Sequence, residues 1–296
     1  MTNLNPNLLY TELTEWFACN ARPLPWRETR DPWAILLCEV MSQQTPVARV
    51  EPTWYAWLER WPTPADLAAA SPADVLLAWD RMGYPRRALR LRECAQAITE
   101  RFDGQVPRTR DDLLSLPGIG PYTADAVLAF AYEDYSVVLD TNIRRVLARW
   151  HGEALPAPAQ TKAELARATS LVPTNPQKAW RWNASIMEFG ALICTARNAK
   201  CVECPVVDTC GWKNAGYPSD SYASTRTPQK WAGTNRQARG AIMAVFRTNP
   251  HESYAESVLE ELSKLPSERF VPALESLKTD KLVTQADDGR LHLPAA

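Results

Sequence analysis

Four cysteines cluster in Cys194-Thr-Ala-Arg-Asn-Ala-Lys-Cys201-Val-Glu-Cys204-Pro-Val-Val-Asp-Thr-Cys210, with gaps of six, two and five. Four thiols that close together are a metal-ligand set. Zinc ribbons supply two close Cys pairs, and this stretch has one C-x-x-C pair. Iron–sulfur clusters accept four thiolates at less regular spacing. Two carboxylates raise a different chemistry. Glu39 lies in the apolar run Ile35-Leu-Leu-Cys-Glu-Val-Met-Ser-Gln-Gln-Thr-Pro46. At about 100° per residue it projects between Ile35 on one side and Leu36 and Gln43 on the other, while Trp33, Leu37, Val40 and Met41 fill much of the rest. A carboxyl buried there is either paired or holds a proton at unusual pH. Asp140 follows Val137-Val-Leu and precedes Thr-Asn, a setting that suits a helix N-cap.

The elements that must position these groups are helical. Residues 7–18 carry Leu9, Leu13, Trp16 and Phe17 at helical spacing. Further helices are expected over 32–44, 46–60, 64–69, 72–79, 85–102, 109–115, 121–132, 140–150, 160–170 and 176–192, with Ser71, Asp111 and Thr161 as N-caps. No alternating strand pattern is found before about residue 280. Residues 213–235 are polar and read as a linker. Helices over 236–247, 254–264 and 267–279 then precede two short strands around an Asp-Gly turn within 282–293. That order fits a winged-helix module, and a structural tail is the alternative.

The chain has 296 residues, 46% hydrophobic and 23% charged. Those values fit a globular protein of about two domains. The polar N-terminus has no signal-peptide pattern. No apolar run is long enough to span a membrane. A cytoplasmic protein is expected, nucleoid-associated if bacterial, and with no membrane partner. The net charge of −1 announces no nucleic-acid partner. Locally, Arg81, Arg86, Arg87, Arg90 and Arg92 lie close together with no acid among them. They read either as phosphate contacts or as a solvated helix face. Cys19, Cys38 and Cys94 are isolated and read as small buried residues. Leu-Pro-Gly118-Ile-Gly120 precedes a helix. Its glycines allow close backbone approach, and the helix start offers free N–H groups to an anion.

The Cys spacing resembles the [4Fe-4S] loop of the endonuclease III and MutY group of DNA glycosylases. Leu-Pro-Gly-Ile-Gly-Pro-Tyr-Thr-Ala resembles that superfamily's helix-hairpin-helix, and Glu39-Val-Met-Ser-Gln-Gln-Thr45 resembles the MutY-type motif E-V-M-x-Q-Q-T, with Ser42 where the family has leucine. The resemblance covers about residues 8–212. It implies a mostly α, two-subdomain helix-hairpin-helix glycosylase with an iron–sulfur loop and a small C-terminal winged-helix-like α+β module. Residues 31–134 would form a six-helix subdomain, residues 1–30 and 135–212 the iron–sulfur subdomain, 213–235 the linker and 236–296 the module. Cys194, Cys201, Cys204 and Cys210 would hold a [4Fe-4S] cluster. Gly118, Gly120, Arg197 and Lys200 would meet the DNA backbone.

The implied activity is release of adenine mispaired with 8-oxoguanine or guanine in double-stranded DNA, by a monomer. Glu39 would protonate adenine N7, turning a poor leaving group into a good one. Asp140 would stay anionic and stabilise or capture the oxocarbenium-like sugar. Endonuclease III-type enzymes carry a Schiff-base lysine at the position of Tyr122, and a phenol cannot form that bond. A monofunctional glycosylase is therefore expected. Tyr122 and Asn142 match groups that support the two carboxylates. Arg22, Leu24 and Trp26 match residues lining the adenine pocket. Gln44 and Tyr84 match side chains that wedge into the duplex, and Thr45 matches one that touches the base opposite adenine. Ordinary core packing is the alternative for Trp26 and Tyr84. Two departures stand out. The family's Nudix-like C-terminal domain is not recognisable, and Ala184 replaces a Glu or Gln that meets adenine. The rivals are a glycosylase of the same fold for thymine opposite guanine, and a non-catalytic iron–sulfur DNA-binding protein.

Overall fold

Apolar residues at helical spacing become helices almost throughout. The computed structural model describes residues 4–226 and 232–295. In chain order the helices are α1 (Pro6–Asn20), α2 (Pro32–Ser42), α3 (Val47–Arg60), α4 (Pro64–Ala69), α5 (Pro72–Trp79), α6 (Arg86–Arg101), α7 (Arg110–Leu114), α8 (Pro121–Phe130), α9 (Thr141–Trp150), α10 (Lys162–Leu171), α11 (Pro176–Leu192), α12 (Gly211–Asn214), α13 (Asn235–Thr248), α14 (Glu256–Ser263) and α15 (Ser267–Thr279). The strands are β1 (Thr284–Gln285) and β2 (Leu291–His292), paired antiparallel around Gly289 at φ +84°. Ser71 and Thr161 cap α5 and α10 as expected. Asp111 does not cap α7. The helix starts one residue earlier, so Asp111 lies in its first turn, where an acid complements the helix dipole. Cys38 and Cys94 are buried, but Cys19 is exposed near the end of α1.

The chain divides into two compact units. One comprises Met1–Ile35, Arg108–Arg110 and Gly120–Thr227. Its core joins Leu9 and Leu13 of α1, Ala126 and Ala129 of α8, Val146 and Trp150 of α9, and Trp182, Ile186 and Phe189 of α11. Trp16 meets Phe189 edge-on at 5.6 Å. The inner face of α8 belongs to this core, which is why the division falls at Gly120 rather than at the expected residue 134.

The other unit comprises Leu36–Pro107, Asp111–Ile119 and Pro228–Ala296. Trp57 stacks edge-on with Trp61 and Trp79 at 4.8 and 5.5 Å. The C-terminal helices have their own core of Ile242, Phe246, Leu259, Phe270, Leu274, Leu277 and Leu291. A bridge between Tyr254 and Leu291 extends the hairpin, giving the order helix, bridge, helix, helix, strand, strand of a winged helix. It is more than a tail. It groups with the helices ahead of it because ion pairs fasten it to residues 80–86, with Arg86 to Asp280 at 3.1 Å and Arg247 to Asp80 at 3.4 Å.

The described part of the expected linker makes specific contacts. Tyr217 packs on Trp212 at 4.8 Å, and Arg226 binds Asp220 at 2.7 Å and the Pro156 carbonyl at 2.5 Å. Residues 227–231 of that linker lie outside the described residues. Among the described residues no helix is long and apolar enough to cross a membrane.

Candidate active site and cysteine loop

Asp140 is the N-cap of α9, and its Oδ1 accepts the Ile143 backbone N–H at 2.6 Å. Asn142 Nδ2 donates to Asp140 Oδ2 at 2.7 Å. Asn142 is oriented in turn, because its Oδ1 accepts from Arg145 Nη2 at 2.9 Å. Arg145 is buried and also donates to the Gly190 and Cys194 carbonyls at 2.6 and 2.8 Å. Gly190 lets α11 approach this point. A Cβ there would lie 2.8 Å from Asn142 Cβ. Capping alone implies an aspartate ionised at neutral pH. Burial pushes Asp140 above its ordinary value, against the Ile143 and Asn142 hydrogen bonds and the charge of Arg145, all of which favour the anion. Tyr122, on α8, packs against the same core cluster.

Glu39 belongs to the other unit. Every residue of α2 from Trp33 to Met41 is buried, Glu39 among them, so the expected all-round burial is found. Gln44 and Tyr84 stand in two short loops, and both backbones are left-handed, at φ +55° and +48°. Gly83, at φ +79°, precedes Tyr84, whose side chain is exposed at the loop tip. Arg87 ties the two loops together. Its Nη1 donates to the carbonyls of Val40, Met41 and Gln43 at 3.0, 3.3 and 2.6 Å. Its Nη2 donates to Thr45 Oγ1 and to the carbonyls of Met82 and Gly83, at 2.9, 3.2 and 3.1 Å. Burial lowers Arg87 to about 10, so it keeps its charge at neutral pH. The Thr45 hydroxyl is buried between Arg87 and the Met82 carbonyl, 3.2 Å away. The arginine run is thus no single phosphate face. Arg87 turns inward, Arg92 donates to the Ala70 carbonyl at 2.6 Å, and Arg86 pairs with Asp280.

Leu24 is buried, and Trp26 lies in a short 3-10 turn, Pro25–Arg27. Arg22 donates through Nε and Nη2 to both oxygens of Glu188, at 2.8 and 2.6 Å, and Arg27 Nη2 adds a third contact at 2.8 Å. Glu188 is fully buried on α11. Burial opposes its charge, yet the two guanidiniums outweigh it and hold the carboxyl at about 2, down from 4.5. A depressed folded value stabilises the fold above the unfolded value and loses that stabilisation as pH falls through the folded one. The shift corresponds to about 3 kcal/mol. Glu188→Gln is expected to be less stable than wild type by about that amount at pH 7, with the gap closing between pH 4.5 and about 2. Urea midpoints for both proteins across that range check this, and a gap independent of pH would contradict it.

In the hairpin, Gly118 has φ +78°, and a Cβ there would meet Arg90 Cβ at 3.2 Å. The positive φ is what favours glycine here, and a side chain would in addition crowd Arg90. Gly120 is different. It caps α8 in extended backbone, with open space where a Cβ would be. In the Cys loop, Cys194, Cys201, Cys204 and Cys210 line one small cavity with Arg149, Trp150 and Phe189. Arg149 Nη1 donates to Cys194 Sγ at 3.3 Å and to the Thr195 carbonyl at 2.8 Å, and its guanidinium lies over Trp212 at 4.6 Å. Burial pushes the Cys204 thiol up to about 12. Among the described residues, no group of three or more His, Cys, Asp or Glu side chains is arranged as a site for a single metal ion. Arg197 and Lys200 are exposed on this loop.

Sequence reasoning missed Arg145, Gly190, Arg27 and Glu188, and it did not foresee that Arg87 turns inward. Arg145 and Arg149 follow Asn142 at three and seven residues, one helical face, which is a readable signal. The partners of Arg87 are backbone oxygens, which leave no trace in side-chain pattern.

Residues 37–170 match the HhH-GPD superfamily base excision DNA repair protein family. The chain is 48% identical over 285 residues to an adenine DNA glycosylase of Mycolicibacterium smegmatis, covering 95% of this chain and 94% of that one. It is 44% identical over 286 residues to one from Mycobacterium tuberculosis, covering 96% and 93%. Among solved structures it is similar to a thermostable thymine-DNA glycosylase, with TM-score 0.65 and 28% identity, covering 71% of this chain and 96% of that one. The fold, the matched domain and full-length identity of this order agree, and the chain belongs to the adenine DNA glycosylase family of base excision repair.

Proposed function

We propose that the protein is a monofunctional glycosylase that removes adenine mispaired with guanine or 8-oxoguanine in duplex DNA. The burial of Glu39 in a helix apolar on every face carries this reading. Pyrimidine release needs no acid at a purine N7. Glu39 gives its proton to adenine N7 as the C1′–N9 bond breaks and its electron pair leaves with the base. The carboxylate of Asp140, oriented by Ile143 N–H and Asn142, faces positive charge developing at C1′, and water completes hydrolysis. Tyr122 supports this machinery without forming a Schiff base. Arg22, Leu24 and Trp26 shape the base pocket, while Gln44, Thr45 and Tyr84 serve the opposite strand. Gly118, Gly120, Arg197 and Lys200 hold phosphates.

The four thiols around one cavity, with a single C-x-x-C pair, fit a [4Fe-4S] cluster held by Cys194, Cys201, Cys204 and Cys210. When bound, it ties down a loop that lacks a core of its own. Arg149 balances thiolate charge beside it.

Duplexes containing A:8-oxoG, A:G, T:G and A:T, incubated with the protein and then with alkali, test the function. Breaks at adenine in the first two only are expected. Breaks before alkali would remove the monofunctional assignment, and thymine release would overturn the target base.

A further inference from the structure

The adenine-excising reading needs a side chain that tells one opposite base from another. Tyr84 is expected beside that base, and the C-terminal module reaches it. Arg236, on the first turn of α13, donates from Nη1 to Tyr84 Oη at 2.5 Å. Its guanidinium also lies over the Tyr84 ring, 5.1 Å from the centroid. Arg87 lies 5.7 Å from the same ring, so two cations flank one phenol.

This placement is built rather than incidental. Asp280 joins Arg239 of α13 at 2.6 Å and Arg86 of α6 at 3.1 Å. Arg247, at the far end of α13, meets Asp80 at 3.4 Å. These pairs bracket residues 80–86 and set the start of α13 beside the loop tip. The left-handed backbone of Gly83 and Tyr84 presents the ring outward at the same place.

We propose that Arg236 is a specificity-determining residue that contacts the base opposite the excised adenine, the winged-helix module thereby supplying that recognition. The proposal rests on the adenine-excising reading and on the place it gives Tyr84. A guanidinium presents its five donors in a planar fork. Its preferred base partner is the O6 and N7 edge of guanine. 8-Oxoguanine keeps O6 but carries a hydrogen on N7, so it offers only one acceptor of that pair. Thymine and cytosine offer no such paired acceptors, so an arginine here favours adenine mispaired with guanine.

The test uses the full-length protein and duplexes with 2′-fluoro-2′-deoxyadenosine, which resists excision, opposite guanine, 8-oxoguanine or a tetrahydrofuran abasic analogue. Arg236→Ala is expected to weaken binding about tenfold or more opposite guanine and by less opposite 8-oxoguanine, while the abasic duplex changes less than about twofold. Opposite guanine, Arg236→Lys should follow Arg236→Ala, because an ammonium cannot make the forked contact. Tyr84→Phe keeps the ring under the cation and should lose less. An equal loss on all three duplexes would mean a phosphate contact and overturn the proposal, as would no loss. Arg236 is exposed, so its substitution leaves the core intact. Wild-type protein that releases no adenine from A:G or A:8-oxoG duplexes would sink the functional reading instead, which keeps the two failures apart.

Discussion

Glu39→Gln is expected to lower single-turnover adenine release from an A:8-oxoG duplex by about 10³-fold, within the range general acids contribute. Glutamine matches glutamate in size and hydrogen-bonding reach, so α2 should keep its packing against Leu36, Leu37 and Met41. What it cannot do is give up a proton to N7. The leaving group then departs as an adenine anion, and the barrier rises. Affinity for a duplex with an unexcisable adenine should stay near wild type, because the loss lies in the transition state. A variant that excises within tenfold of wild type would strip Glu39 of its role. A variant that no longer binds the duplex would make it a binding residue.

Asp140→Asn is expected to cost about 10³-fold in the same assay, the scale of a preorganised charge facing developing charge in a dry site. Asparagine caps a helix as well as aspartate does, so the Ile143 N–H keeps an acceptor. Loss of the Asn142 bond is offset by removing a charge that burial disfavours. The melting midpoint should therefore move little. The pH profile carries a second signature. Because burial raises Asp140, the required carboxylate is lost as pH falls at a higher pH than for an ordinary aspartate. The acid limb of wild-type kcat should be displaced upward accordingly, and Asp140→Asn should lack that limb. An unchanged acid limb in the variant would assign it to another group.

The helical body, the caps at Ser71, Thr161 and Asp140, and the C-terminal order of helices and strands were all legible, because spacing and capping are local properties. The burial of Glu39 was legible because α2 has no polar face to turn outward. The division at Gly120 was not, because it depends on which core receives the inner face of α8. The upward push of burial on Asp140 was hidden for a similar reason. Sequence shows the cap but not the depth of the pocket around it. The Arg22–Glu188 pair joins residues 166 positions apart, and the Arg236–Tyr84 pair residues 152 apart, distances at which no periodic pattern speaks.

Gly190 packs against Asn142 rather than Asp140, yet it bears on where the Asp140 carboxylate sits. The backbones of α9 and α11 meet so closely beside Asn142 that even a methyl group would intrude. Any side chain there would shove the start of α9 sideways and carry the carboxylate of Asp140 with it, and an offset of about 1 Å can cost about 10²-fold in rate. Substitution at Gly190 is therefore expected to lower activity at a position that a map of DNA-touching residues would leave blank.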